Sequence, residues 1–161
     1  MNKLAVAFIF FSILATMCMA IPNPLHASCK LDWNVGLDCT NAADKLIKQI
    51  DAWKGDDCGT SEKCLYTFES FDGKTLLAKH TTPKNHYVDD LKMVFTPSGN
   101  DCAIHGESTS ELWYAVLDYG TNYCNLHNLI TGSGLNKTKD FSEKTNDLKC
   151  TQYSSANCDK Y

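Results

Sequence analysis

The side chains in this sequence with the types to do chemistry fall mostly in one stretch. Asp89 and Asp90 stand side by side, Ser108 and Ser110 alternate, and Asp118 and Asn122 follow shortly after. Paired carboxylates can perform acid–base work, because crowding raises the pKa of one of them. Successive residues of a strand point to opposite faces, so only one of Asp89 and Asp90 can point inward, which argues against a shared-proton dyad. The other role open to them is structural: capping a turn or accepting bonds from buried backbone N–H groups. Ser108 and Ser110, with His105 and Asp118 nearby in sequence, supply the residue types of a Ser–His–Asp triad. A triad is defined by geometry, and no G-x-S-x-G elbow supports one here. His80, His86 and His105 with the two aspartates have the types of a metal site. They do not repeat at i and i+2 on one strand face, and nothing resembles H-E-x-x-H. The expectation is a polar cluster of Asp89, Asp90, Ser108, Ser110, Asp118 and Asn122, with no assigned catalytic residue, metal or cofactor.

The elements that must position this cluster are legible from periodicity. In "CTNAADKLIKQIDAWKG" the residues Ala43, Leu46, Ile47, Ile50 and Trp53 recur at helical spacing. Thr40 or Asn41 is the expected cap and Gly55 the expected stop. Four alternating runs follow: "KCLYTFESF", "TLLAKHTT", "YVDDLKMVFTP" and "CAIHGESTS". The first places Cys64, Tyr66 and Phe68 on one side. Asp72-Gly73, "PKNH" and "SGND" turn between them, which is the pattern of an antiparallel meander. "ELWYAVLD" extends the fourth strand or begins another. Thr121 or Asn122 then caps a second helix, with Tyr123, Leu126, Leu129 and Ile130 in register. In the strand-to-helix corner Trp113 and Leu117 are expected inside, and Asn122, Asn125 and Asn128 along a polar edge. The fold class expected is α+β: an antiparallel sheet of four to five strands in a meander, helices packed on one face, stabilised by disulfides. Tyr66, Phe68, Phe71, Tyr87, Phe95, Trp113, Tyr114 and Tyr119 are core material first. A cleft between the layers can also use them to line a pocket for a small apolar ligand.

The compartment is read from the ends of the composition. Residues 1–20, "MNKLAVAFIFFSILATMCMA", have the basic start, short apolar core and small final residue of a secretory signal peptide. That core is too short to span a bilayer, which takes about 20 residues. Cleavage after Ala20 leaves residues 21–161 as one domain, expected to be secreted and extracellular. All nineteen acidic residues lie in that part, and every one of the fifteen basic residues is lysine, for a formal charge of −4 overall. The absence of arginine argues against nucleic acid and against a dedicated polyanion site. Cys29, Cys39, Cys58, Cys64, Cys102, Cys124, Cys150 and Cys158 form an even set suited to disulfides. Short loops favour Cys29–Cys39, Cys58–Cys64 and Cys150–Cys158, which leaves Cys102–Cys124. Asn136-Lys137-Thr138 is a glycosylation sequon.

The segments "YVDDLKMVF", "IHGESTS" and "LDYGTN" resemble the signature of the domain-of-unknown-function 1499 family, D-D, then S-x-S, then D-x-G-x-N. Asp89, Asp90, Ser108, Ser110, Asp118, Gly120 and Asn122 stand at the matching positions, and the resemblance spans roughly residues 42–130. The chain is also similar to a group of uncharacterised secreted animal proteins that carry "WYAVLDYGTNYCNL". The resemblance implies an α+β domain and no established activity. It departs from the family where arginines are typical around S-x-S and after the Asn. Glu107, Glu111 and "YCNL" stand there instead, against any anion-binding role.

Two functions follow from these residues. The first is a secreted, disulfide-stabilised binding or extracellular-matrix module, non-enzymatic, whose partner is an extracellular protein or a small apolar ligand. The second is a small extracellular hydrolase using Asp89 or Asp90, His105 or His80, and Asp118. They separate on whether the polar cluster faces an open pocket or is buried in its own hydrogen bonds.

Overall fold

The computed structural model describes residues 26–112 and 114–161. The expected leader, residues 1–20, and Trp113 lie outside them. The elements are β1 (Ser28–Val35), α1 (Cys39–Ala52), β2 (Tyr66–Phe71), β3 (Thr75–Thr81), β4 (Val88–Ser98), β5 (Asp101–Ser110), α2 (Thr121–Gly132) and β6 (Ser142–Lys144). They form a six-stranded antiparallel sheet in the order β2-β3-β4-β5-β1-β6. The α+β class and the β2–β5 meander are as expected, but the described residues hold six strands. The added strands are β1, read from sequence as a short segment between two cysteines, and the three-residue β6.

Alternation explains why these runs pair and which way they face. Leu31, Trp33 and Val35 of β1, Leu76 and Ala78 of β3, Leu91, Met93 and Phe95 of β4, and Ile104 of β5 are all buried on one face. Both helices pack there. α1 contributes Ala42, Ala43, Leu46 and Ile50, and α2 contributes Leu126, Leu129 and Ile130. The opposite face is wet and charged, with Lys79–Asp90 at 2.9 Å, Lys30–Glu107 at 3.1 Å and His105 Nδ1–Asp32 at 2.7 Å. Exposed pairs of this kind contribute little to stability. Phe68, expected inside with Tyr66, keeps the same register parity but is 40% exposed, on the edge strand β2 just before a bulge between Phe68 and Ser70.

The helix boundaries shift slightly. Asp38, rather than Thr40 or Asn41, caps α1: its Oδ1 accepts the Asn41 N–H at 3.0 Å. That helix ends at Ala52, ahead of Gly55. The Asp72-Gly73 turn forms as expected, with Asp72 Oδ1 accepting the Lys74 N–H at 2.8 Å and the Thr75 N–H at 2.6 Å.

Among the described residues four disulfides link Cys29–Cys150, Cys39–Cys102, Cys58–Cys64 and Cys124–Cys158. Of the pairs favoured by short loops only Cys58–Cys64 forms. Topology overrides proximity in sequence. β1 inserts beside β5, with Val35 opposite Cys102, so Cys39 at the start of α1 meets Cys102. Cys29 faces Cys150 across an isolated bridge, and the tail returns along α2 so that Cys158 reaches Cys124. No helix among the described residues is long and apolar enough to cross a membrane.

Candidate functional site

The inward positions near the ends of β4 and β5 are polar, and this is where the sheet departs from an apolar core. Register puts Asp89 opposite Ser110 and Leu91 opposite Ser108. Asp89 is only 4% exposed, and Ser108 and Ser110 are buried. Asp90 points to the other face, where it pairs with Lys79. It therefore drops out of the cluster, as strand alternation requires. His105 also lies on the outer face with Asp32, so it cannot serve Ser108 or Ser110. His80 is buried opposite Asp89, with Nε2 at 2.9 Å from the Glu62 carbonyl and Nδ1 lacking a hydrogen-bond partner among the described residues. Burial holds it neutral, with its pKa lowered to about 4 despite the Glu62 hydrogen bond. His80 and His105 thus stand on opposite faces of the sheet. Among the described residues no group of three or more His, Cys, Asp or Glu side chains is arranged to hold a metal ion.

α2 answers these strand residues with its three asparagines. They are fully buried and face the sheet, which corrects the expectation of a polar edge. Ser108 Oγ donates to Asn122 Oδ1 at 2.6 Å. Asn125 Nδ2 donates to Asp89 Oδ2 at 2.8 Å and reaches Ser108 Oγ at 3.4 Å. Asn128 Nδ2 donates to the Tyr161 carbonyl at 2.9 Å and so holds the chain's last residue beside the site. Buried amides need such partners, and here each has one.

The corner between β5 and α2 is built by Asp118, Gly120 and Asn122. The described residues among 111–120 form no strand, so "ELWYAVLD" shows there neither an extension of β5 nor a further strand. Asp118 Oδ1 accepts the Gly120 N–H at 3.1 Å, and Oδ2 accepts both the Asn122 N–H at 3.1 Å and Asn122 Nδ2 at 2.8 Å. A carboxylate at a helix N-terminus satisfies orphan donors and complements the helix dipole. Gly120 has φ +79°, and a Cβ there would lie 2.5 Å from the Ala156 Cβ. Gln152 Oε1 accepts the Asp118 and Tyr119 N–H groups at 3.0 and 2.7 Å, pinning the corner to the tail.

These parts close around a cleft of about 770 Å³. Its inner wall carries Asp89, Ser110, Asp118 and Thr121, and Glu62 closes one side. The rim carries Tyr87, Tyr114, Val116, Leu117, Tyr119 and Tyr161. Leu117, expected inside, is 66% exposed at this mouth, as is Tyr119. Tyr119 and Tyr161 stack with centroids 6.3 Å apart and planes 15° from parallel. Burial is the largest influence on Asp89 and raises its pKa to about 6. Hydrogen bonds from Asn125 and Ser110 oppose this, while the charges of Asp118 and Asp90 add to it. Burial also raises Glu62, helped by the charge of Asp89 and countered by Lys160. Glu62 Oε2 is enclosed and lacks a hydrogen-bond partner among the described residues.

The structure thus divides the expected cluster. Asp89, Ser110 and Asp118 line the cleft, Ser108 and Asn122 are buried bracing behind it, and Asp90 is elsewhere. Sequence reasoning missed Glu62, Asn125 and Tyr161. Asn125 had a signal, an amide one turn from Asn122 and next to the apolar Leu126. Glu62 and Tyr161 sit in a disulfide loop and at the last position, where no periodicity speaks. No protein-family model matches the chain, and no match is found among curated proteins.

Proposed function

We propose that this protein is a secreted, disulfide-stabilised binding module that takes a small, partly apolar ligand in the cleft beside α2, and performs no chemistry on it. One observation carries the reading: exposed apolar and aromatic side chains form the rim of a cleft whose inner wall is polar and already braced. Cavities of a few hundred Å³ that mix apolar walls with a few fixed polar groups are the usual form of small-molecule sites. The bracing favours holding over turnover. Ser108 is buried and its hydroxyl is donated to Asn122. Both Asp118 oxygens accept bonds from the corner itself. Ser108 and Ser110 face away from His105, and His80, which shares their face, is fully buried with Nε2 at the Glu62 carbonyl; among the described residues no hydrogen bond joins either serine to a histidine, so the hydrolase alternative lacks the support of a nucleophile–base pair. Secretion and a glycan on Asn136 belong to the same reading; Asn136 lies in the half-buried turn Leu135–Lys137.

The test is an NMR titration of the oxidised protein with a panel of small amphiphiles. A saturable one-to-one shift of the Ser110, Tyr119 and Thr121 amides is expected, and Leu117→Lys is expected to weaken it. Saturable binding mapping elsewhere, or no binding across the panel, would overturn the reading.

A further inference from the structure

We propose that the ligand of this cleft is an organic cation, an amine with an aromatic or aliphatic body, whose ammonium group sits against Asp89 and Glu62 while its body lies on the tyrosine rim. This rests on the cleft being a binding site and specifies what it binds.

The charge balance of the cleft points this way. Three carboxylates line it, Asp89, Asp118 and Glu62, against two lysines, Lys84 and Lys160. Lys160 Nζ is engaged, donating to the Tyr161 hydroxyl at 2.7 Å and lying 4.4 Å from the centre of that ring. No lysine among the described residues stands within ion-pair distance of any of the three carboxylates. Asp118 directs its charge to the α2 N-terminus, whereas Asp89 has no cation beside it and Glu62 is opposed only by the charge of Lys160, which is not within ion-pair distance. Asp89 has two neutral hydrogen-bond partners, Asn125 and Ser110, and Glu62 has one enclosed oxygen with none. A desolvated carboxylate without a counter-charge is unfavourable, and a cation with N–H donors relieves it.

The rim has matching chemistry. A tyrosine face attracts a cation through the ring quadrupole, most strongly where water is excluded. Lys160 Nζ, 2.7 Å from the Tyr161 hydroxyl and 4.4 Å from the ring centre, shows that this rim already holds an ammonium group at a tyrosine hydroxyl. An anionic ligand would meet Asp89 and Glu62, neither of them ion-paired among the described residues. A neutral apolar ligand would leave them as they are, with no gain. Only a cation improves both the wall and the rim.

The test compares three probes of one shape at pH 7.5: 2-phenylethylammonium, 2-phenylethanol and phenylacetate, titrated by NMR. The inference expects the cation to bind at least tenfold more tightly than the alcohol, with phenylacetate weakest. Asp89→Asn and Glu62→Gln should each reduce cation affinity at least several-fold and leave the alcohol unchanged. Tyr119→Leu should weaken the cation and Tyr119→Phe should not, since phenylalanine keeps the ring face. Equal binding of cation and alcohol, or insensitivity of the cation to both carboxylate variants, overturns the cation inference and leaves the cleft as a binding site. Failure of all three probes to shift the cleft amides counts against both.

Discussion

At Asp89 the sheet places a carboxylate where burial opposes its charge. Its pKa is raised to about 6 in the folded protein, against about 3.9 for a free aspartate. Below about pH 4 both states are protonated, and the group's contribution to stability is fully present. As pH rises from there through 6, the unfolded chain ionises first and that contribution is lost, up to about 3 kcal/mol for a shift of this size. His80, Glu62 and Asp118 lie around it, Asp90 stands behind it on the outer face, and Lys84 and Lys160 are the cations of the cleft. Asp89→Asn is therefore expected to be more stable than the parent by about 1–3 kcal/mol at pH 8, with the gap closing by pH 4. Urea unfolding at the two pH values reads this, and equal stability at pH 8 would refute it. Asn122 is the opposite case, a polar group that the fold depends on. Asn122→Ala removes the acceptor of Ser108 and one donor to Asp118, and is expected to destabilise by about 2–3 kcal/mol in the same assay.

Among the elements, the corner from Asp118 to Asn122 connects sheet, helix and tail. Gly120 is confined there twice: its φ of +79° disfavours any side chain, and a Cβ would press on Ala156 Cβ at 2.5 Å and Cα at 2.8 Å. Gly120→Ala is expected to destabilise by about 2–3 kcal/mol and lower the thermal midpoint. Adding Ala156→Gly should recover only part, because the clash with the backbone at position 156 and the positive φ both remain. Full recovery would show that the strain argument is wrong. The meander is legible in the sequence because β4 and β5 alternate strictly and their turns carry Gly and Asp. β1 alternates as well, Leu31, Trp33 and Val35 against Lys30, Asp32 and Asn34, yet the cysteines at each end point equally to a small local loop. β6 has three residues and no pattern to find. Asp89, Ser110 and Asp118 are identifiable because polar residues at inward strand and corner positions stand out. Their partners come from elements whose spatial order no local pattern encodes.

Across the whole molecule, the disulfides separate the stability of the domain from the shape of its cleft. In the chain-entropy account a cross-link stabilises more when it closes a longer loop. Cys29–Cys150 spans 121 residues and ties β1 to the tail, which corresponds to about 5 kcal/mol, comparable to the entire stability of many domains. Cys58–Cys64 spans 6 residues, which corresponds to about 2 kcal/mol. That small loop holds Glu62, whose carbonyl meets His80 Nε2 at 2.9 Å and whose carboxylate closes the cleft. Replacing both cysteines of each pair by alanine should therefore give two different outcomes. Cys29→Ala with Cys150→Ala is expected to leave little folded protein at 37 °C. Cys58→Ala with Cys64→Ala should remain folded, with a lowered thermal midpoint, and should bind 2-phenylethylammonium several-fold more weakly while 2-phenylethanol is unchanged. Circular dichroism melts combined with the NMR titration measure both quantities on one sample. If the small-loop variant kept full affinity for the cation, Glu62 would have no part in the site; if it unfolded like the long-loop variant, the entropic ranking of the bridges would fail.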